Sequence, residues 1–212
     1  MRTALTLSLA IFAALVSVHA QAAEQVRSVA PFSAVSNSGV VNVHIEVGKP
    51  QSVTVNGDDD LVRDLLTDVV GNELKIHMRH DTVTIGGHHE DLRVTITVPQ
   101  LSAFTMAGAG ESTITHVSGD SLDVRFAGAG SLKVDGSVRN FRLNVGGVGS
   151  IDTRDLHAET ANVNVGGVGS VKVWASTRLD ASVGGVGSLT YYGDPKTVNT
   201  NGGGLGSISR AN

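Results

Sequence analysis

A five-residue glycine motif that returns about every 20 residues constrains this chain more than any other feature. GGVGS occupies residues 146–150, 166–170 and 184–188, GGLGS occupies 203–207, and the related AGAGS and AGAGE occupy 127–131 and 107–111. The last glycines of these copies lie 18 to 20 residues apart, at Gly110, Gly130, Gly149, Gly169, Gly187 and Gly206. A fixed period of this length indicates a solenoid, in which each repeat stacks on the one before it.

Between the glycine motifs, apolar and polar residues alternate. The second residue after each last glycine is apolar in five copies, and the third is mostly polar, as in Ile151-Asp152 and Val171-Lys172. A period of two predicts β-strands with one buried face, whereas glycine clusters disfavour helices. We therefore predict an all-β fold, a single-stranded parallel β-helix (β-solenoid) with coils of ~19–20 residues and an irregular N-terminal β cap.

The six glycines are predicted to form structural corners. Glycine can adopt a positive φ at a sharp bend, and it lets neighbouring coils approach closely. The residue before the last glycine is small (Ala109, Ala129) where the residue four before it is large (Met106, Phe126). In the next three copies both positions are valine, and in the last copy they are Leu205 and Gly202. This exchange of size predicts that both positions fill one close-packed interior.

The first 22 residues read as a secretory signal peptide. Arg2 precedes an apolar run from Ala4 to Val18, and Ala20-Gln21-Ala22 is a small-residue cleavage pattern. The run is shorter than the ~20 residues that a membrane-spanning helix needs. We expect a periplasmic or extracellular product with no transmembrane segment after cleavage. Since the chain has no cysteine, it is not expected to be a lipoprotein.

The remainder divides into two predicted regions. Residues 23–106 form an N-terminal β cap and the first coils, without the glycine corner, and residues 107–212 form the glycine-cornered repeats. Within the first region, an Asp-capped helix is predicted at Leu61–Val70. Strands are predicted at Val40–Val47, Ser52–Val55, Glu73–Met78, Thr82–Ile85 and Leu92–Val98.

Several familiar glycine-rich sites are excluded by the spacing. Calcium-binding repeats have a nine-residue period and an Asp where this chain has Ile151 or Val171. A dinucleotide fingerprint requires a third glycine and a following helix, and neither follows Gly147-Val148-Gly149. The Gly-Lys-Ser of a phosphate-binding loop is also absent. The net charge of −4 does not favour nucleic acid as a partner. We predict no catalytic residues and no cofactor.

Two sets of polar residues are weighed for chemistry. His77, His80, His88 and His89 are residue types that bind Zn²⁺ or Cu²⁺. Their spacing matches no defined metal pattern, so we predict no metal site and leave open whether this region binds metal. The serines that follow the corners, including Ser150 and Ser170, recur once per coil without a neighbouring base. We expect them to bond to backbone at the corners.

The candidate binding residues are two aromatic residues, Trp174 and Tyr192. Each lies five residues after a corner glycine, on neighbouring coils and on the outward phase, whereas Tyr191 lies on the inward phase. Stacked, exposed aromatic side chains bind sugar rings or partner proteins. The alternative is a partly covered surface pair with no ligand.

Five features together resemble the GIN-domain family of auto-transporter adhesin heads. They are Phe32 with its following strand, VTVNGD at Val53–Asp58, Leu61–Ile76 ending in GNELKI, VTITVP at Val94–Pro99, and the corner motifs from Ala107 to Ile208. The resemblance spans Val26 to Ser209. It implies an exported bacterial β-solenoid that is not a known enzyme, and it carries over no site residues.

Two functions compete at this point. The first is a non-enzymatic envelope or surface protein, adhesin-like, that binds an unknown envelope protein or a glycan, alone or as an oligomer. The second is a polysaccharide-degrading β-helix enzyme, which needs an acid/base pair in a groove. The short coils leave no insertion to build groove walls, and the outward charges, such as Lys133, Asp152 and Arg154, are scattered. The first function is therefore favoured.

Overall fold

The computed structural model describes residues 23–79 and 92–211. They form one helix and fifteen strands. The N-terminal region contains β1 (Ala23–Val26), β2 (Ala34–Asn37), β3 (Asn42–Val47), β4 (Ser52–Gly57), α1 (Asp59–Asp64), β5 (Leu65–Val70), β6 (Glu73–Met78), β7 (Arg93–Val98) and β8 (Ala103–Met106). The repeats contain β9 (Ala109–Phe126), β10 (Ala129–Val145), β11 (Val148–Val165), β12 (Val168–Val183), β13 (Val186–Tyr192), β14 (Thr197–Gly202) and β15 (Ser207–Arg210).

The repeats stack in parallel, which confirms the predicted β-solenoid. Each of β9, β10, β11 and β12 runs through most of one coil, with register shifts rather than a break at its middle. The register aligns Gly110, Gly130, Gly149, Gly169 and Gly187 in one column. The sixth glycine, Gly206, precedes Ser207, which pairs with Ser188 on the previous coil.

Close approach explains why the corner is glycine. A Cβ built on Gly167 would overlap the carbonyl oxygen of Gly147 in the preceding coil and lie 3.0 Å from its carbonyl carbon. A Cβ on Gly169 would overlap the oxygen of Gly149 in the same way, and Gly169 also has a φ of +144°. Both reasons given for the corner from sequence are therefore present in the structure.

The core is a column of inward side chains. Met106, Phe126, Val145, Val165 and Val183 pair from coil to coil, and each is at most 5% exposed. Alternation continues unbroken through the corner, so the residue before the last glycine points outward. Val148, Val168, Val186 and Leu205 are 58%, 47%, 50% and 84% exposed. The prediction that this position fills the interior is wrong. The inward position at the corner is instead the glycine before it, such as Gly147, which packs against the preceding coil.

The first coil turns the same corner without the repeated motif. Val40 bridges to Ala109, and a Cβ on Gly108 would overlap the carbonyl oxygen of Gly39. Asn37 is fully buried, and its side-chain oxygen accepts a hydrogen bond from the Gly39 N–H at 2.9 Å. An amide side chain therefore holds this bend, so the corner column begins one coil earlier than the repeated motif indicates.

The N-terminal end combines parallel strands with an antiparallel covering. β2 pairs in parallel with β6 and β8, and β3 pairs in parallel with β7 and β9. β4 lies antiparallel to β1 and β7, and β5 lies antiparallel to β6. The helix predicted at Leu61–Val70 is wrong beyond Asp64, where α1 ends: Leu65–Val70, which contains three β-branched residues, forms β5 and pairs with β6. Asp58 precedes α1 without a side-chain capping bond.

Candidate functional site

Trp174 and Tyr192 lie side by side on the outward face of adjacent coils. The register pairs Trp174 of β12 with Tyr192 of β13, and both side chains are partly exposed. Strands in a sheet are ~4.8 Å apart, so the two aromatic residues are direct neighbours. The expected juxtaposition is therefore present, although their role in binding stays a prediction.

A third ring extends this pair by one coil. His157 of β11 pairs with Trp174, and the imidazole and indole rings stack with centroids 4.5 Å apart and an interplanar angle of 17°. We call His157, Trp174 and Tyr192 the aromatic ladder. Three consecutive coils thus contribute one ring each to a single column on the surface.

The position of His157 in this ladder could not be predicted from the spacing, because a bulge moves it into register with Trp174. Between β11 and β12 the pairing passes from Thr153↔Val173 directly to His157↔Trp174, so Arg154–Leu156 have no partner on β12. His157 stands eight residues after Gly149, whereas Trp174 stands five residues after Gly169. The available signal was the length of the coils: the step that contains the bulge is 20 residues and the next is 18.

The stacking decides which part of the indole a ligand can reach. His157 covers one face of Trp174, and the backbone of Gly193 lies against the ring, since a Cβ on Gly193 would be 3.1 Å from Cε2. The exposed part of the indole is therefore mainly its ring edge. Ring edges carry partial positive charge, so they favour contact with oxygen atoms.

Charged side chains border the aromatic ladder. Arg154, in the bulge, donates two hydrogen bonds to Asp152, from Nε to Oδ1 at 3.0 Å and from Nη2 to Oδ2 at 2.6 Å. Lys172 Nζ lies 3.8 Å from the same carboxylate. The guanidinium carbon of Arg154 is 6.0 Å from the centre of the Tyr192 ring, at the outer limit of a cation–π contact.

These neighbours set the ionisation of the pair. Partial burial raises the pKa of Asp152, but hydrogen bonds from Arg154 and the charges of Arg154 and Lys172 outweigh it, so the pKa is lowered. The hydrogen bond to Asp152 and its charge raise the pKa of Arg154. The site therefore presents a fixed, ionised pair beside the aromatic ladder, and Asp152 is unsuited to act as a proton donor near neutral pH.

The other residues selected from sequence fall into three groups. The Ser150 and Ser170 hydroxyls bond each other across coils at 3.2 Å, which corrects the expected bond to backbone, because stacking places them face to face. His77 Nε2 of β6 lies 3.7 Å from Asp68 Oδ2 in the β5–β6 hairpin. His80, His88 and His89, the strand predicted at Thr82–Ile85 and the signal peptide predicted at Met1–Ala22 lie outside the described residues.

The described parts of the chain contain neither a cluster of metal ligands nor a helix suited to crossing a membrane. Across residues 23–79 and 92–211, no group of three or more His, Cys, Asp or Glu side chains is placed to hold a metal ion. Over the same ranges, no helix combines the length and the apolar character that crossing a membrane requires.

Comparisons with known proteins connect this architecture to one family. Residues 31–195 match the family model described as "Putative auto-transporter adhesin, head GIN domain". A comparison with curated proteins finds no match. Among solved structures, the chain is similar to a putative adhesin from Bacteroides fragilis, with 23% identity and a TM-score of 0.67 over 90% of this chain and 97% of that one.

A second solved structure shows the same likeness of fold. It is a putative adhesin from Parabacteroides distasonis, with 18% identity and a TM-score of 0.51 over 90% of this chain and 97% of that one. At these identities the similarity concerns the fold. The description of the family, an adhesin head domain, indicates a surface or exported protein.

Proposed function

The chain belongs to the GIN head-domain family, and on that premise we propose that it is an exported, non-enzymatic β-solenoid of the cell envelope or cell surface. We propose that it binds a partner protein or a glycan through the aromatic ladder. The apolar run and cleavage pattern at Met1–Ala22 support export. The adhesin names of the family and of the similar structures support a binding role.

The aromatic ladder is the observation that carries the proposal. His157, Trp174 and Tyr192 form a continuous aromatic column on the outward face, next to Arg154. Stacking restrains the His157 and Trp174 rings, so ordering them on binding would cost the protein little conformational entropy. Ring edges and a guanidinium offer contacts to hydroxyl, carbonyl or carboxylate oxygens, which both glycans and protein surfaces supply.

The ionisation of two carboxylates, Asp152 beside the aromatic ladder and Asp180 elsewhere on β12, supports binding over hydrolysis. A hydrolase that cleaves glycosidic bonds needs one carboxyl group with a raised pKa as its proton donor. Asp152 and Asp180 instead have lowered pKa values, since each is held by an arginine: Arg154 Nη2 is 2.6 Å from Asp152, and Arg178 Nε is 2.6 Å from Asp180. We therefore favour the binding function over a polysaccharide-degrading enzyme.

The test uses the fact that Trp174 is the only tryptophan of the chain. Purified protein is titrated with a panel of defined glycans and with isolated envelope proteins, and its tryptophan fluorescence is followed together with a direct affinity measurement. For a ligand that binds, we expect Trp174→Ala to weaken the affinity by ~1–3 kcal/mol, as for an interface anchor. His157→Ala should weaken it as well.

Glu159→Ala provides the matched control, because Glu159 is exposed and lies on β11 two residues beyond His157. The affinity of Glu159→Ala for the ligand should equal that of the unchanged protein. Thermal melts of all three variants separate lost binding from lost folding. Full affinity in folded Trp174→Ala would contradict the proposal and place the binding surface elsewhere, and turnover of a polysaccharide would establish the enzyme instead.

A further inference from the structure

The C-terminal end of the solenoid exposes a sheet edge with which none of the described residues pairs. Among the described residues, β14 pairs only with β12, and β15 pairs only with β13. The Gly203 N–H donates to the Val183 carbonyl, so the alternation of a parallel ladder turns the backbone groups of Asn201 and Asn199 toward β12. The N–H and C=O groups of Val198, Thr200 and Gly202 consequently face away from the solenoid.

The two ends of the solenoid differ in how their edges are protected. At the N-terminal end, the edge strands β1 and β5 carry the acidic residues Glu24 and Asp68, and α1 lies nearby. β14 has the sequence TVNTNG, and all six of its residues are exposed. It carries no charged residue and no proline, which are the usual devices against edge pairing.

This end also leaves apolar surface uncovered. Val198 is 39% exposed, whereas Leu179, its partner one coil inward, is fully buried. Ile208 is only partly buried, whereas its partner Leu189 is fully buried. One further layer of strands would cover these side chains, as each coil covers the one before it.

We propose that the further layer is a second copy of this chain, joined end to end with β14 antiparallel to β14 of the second copy. A strand paired antiparallel with itself satisfies two-fold symmetry, so one edge supplies both halves of the contact. Because β14 has no ionisable side chain, the pairing brings no like charges together.

The charges that flank this edge are compatible with the same arrangement. Arg210 is paired with Asp194 at 2.9 Å within one copy, and Arg178 is paired with Asp180. Lys196 directly precedes β14, so antiparallel pairing puts the two copies of this residue at opposite ends of the contact, whereas parallel pairing would put them side by side. The antiparallel dimer is therefore the arrangement that avoids repulsion.

Charge-swap variants of β14 test the proposal. Asn199 and Asn201 are exposed. The double variant Asn199→Lys, Asn201→Lys places like charges across a two-fold contact centred on this strand, and so does Asn199→Glu, Asn201→Glu. Sedimentation equilibrium should show a dimer for the unchanged protein, and either double variant should weaken the dimer by at least about tenfold. An equimolar mixture of the two variants should form a mixed dimer, because opposite charges then meet.

The control makes the same change two coils further in. Asn162→Lys, Asn164→Lys alters exposed residues at the equivalent positions of β11, and this variant should dimerise like the unchanged protein. Thermal melts verify that each variant is folded. A protein that stays monomeric at submillimolar concentration, a dimer that survives both charged β14 variants, or a mixture that does not associate would each overturn the proposal.

Discussion

Two glycines of the same corner motif, three residues apart, should affect stability in opposite ways when each is changed to alanine. Gly169 has a φ of +144°, and a Cβ there would overlap the carbonyl oxygen of Gly149 and lie 2.9 Å from its carbonyl carbon. Gly166 has no such constraint, because the nearest atom to its Cβ would be the Val145 oxygen at 3.8 Å. Gly169→Ala should therefore destabilise the protein, and Gly166→Ala should not.

The magnitude for Gly169→Ala has two parts. Backbone strain for a non-glycine residue in this region costs ~1–3 kcal/mol. Relieving the overlap requires two packed coils to move apart, which costs ~1–3 kcal/mol, as for an overfilled core. We expect a loss of roughly 2–6 kcal/mol, which lowers the melting temperature by roughly 4–24 °C in a domain of this size.

Gly166→Ala should leave the melting temperature unchanged or raise it slightly, because alanine restricts the unfolded chain. Thermal melts followed by circular dichroism, together with urea unfolding, measure both variants under one set of conditions. Equal melting temperatures for the two alanine variants would refute the argument. They would show that the coils accommodate a side chain at Gly169 and that close approach does not explain the repeated glycine.

Two further predictions concern the core and the charged pair. Phe126→Ala should cost ~3–5 kcal/mol, because the side chain is fully buried, whereas Val148→Ala, at a position 58% exposed, should change the unfolding free energy by less than ~0.5 kcal/mol; urea unfolding compares them. Because the pKa of Asp152 is lowered in the folded state, its ionisation stabilises the fold at pH values above the ordinary pKa of an aspartate. This stabilisation is lost as the pH falls through the pKa of the folded state. The melting temperature of Asp152→Asn should therefore lie below that of the unchanged protein at pH ~7 and approach it below pH ~4, and a constant difference across melts at several pH values would contradict this reasoning.

The sequence predicted the stacking because the repeat is regular, and it failed where one coil departs from the average. The alignment of Gly110 to Gly187 follows from spacing alone. The contact between His157 and Trp174 does not, since it depends on three unpaired residues, Arg154–Leu156, and a count from the corner cannot place a bulge. Such insertions alter the surface while the buried columns stay in register.

The outward position of Val148 could have been predicted. Counting strictly by twos from the buried Val145 places Val148 outside, and the structure agrees. The exchange of size between the two positions gave the opposite answer, because it ignored Gly147, which takes the inward position at the corner and packs against Gly128. The strand from Leu65 was mistaken for helix because its pairing with β6 depends on a distant segment.

The continuous corner column has a consequence for how such a protein can change length over evolution. Each coil contacts chiefly the coils before and after it, so duplicating or deleting one unit of about 20 residues changes a single junction. Every added unit extends the rod by ~4.8 Å and leaves its cross-section unchanged. The distance at which the aromatic ladder stands from the N-terminal end can thus be adjusted in fixed steps without redesigning the ladder itself.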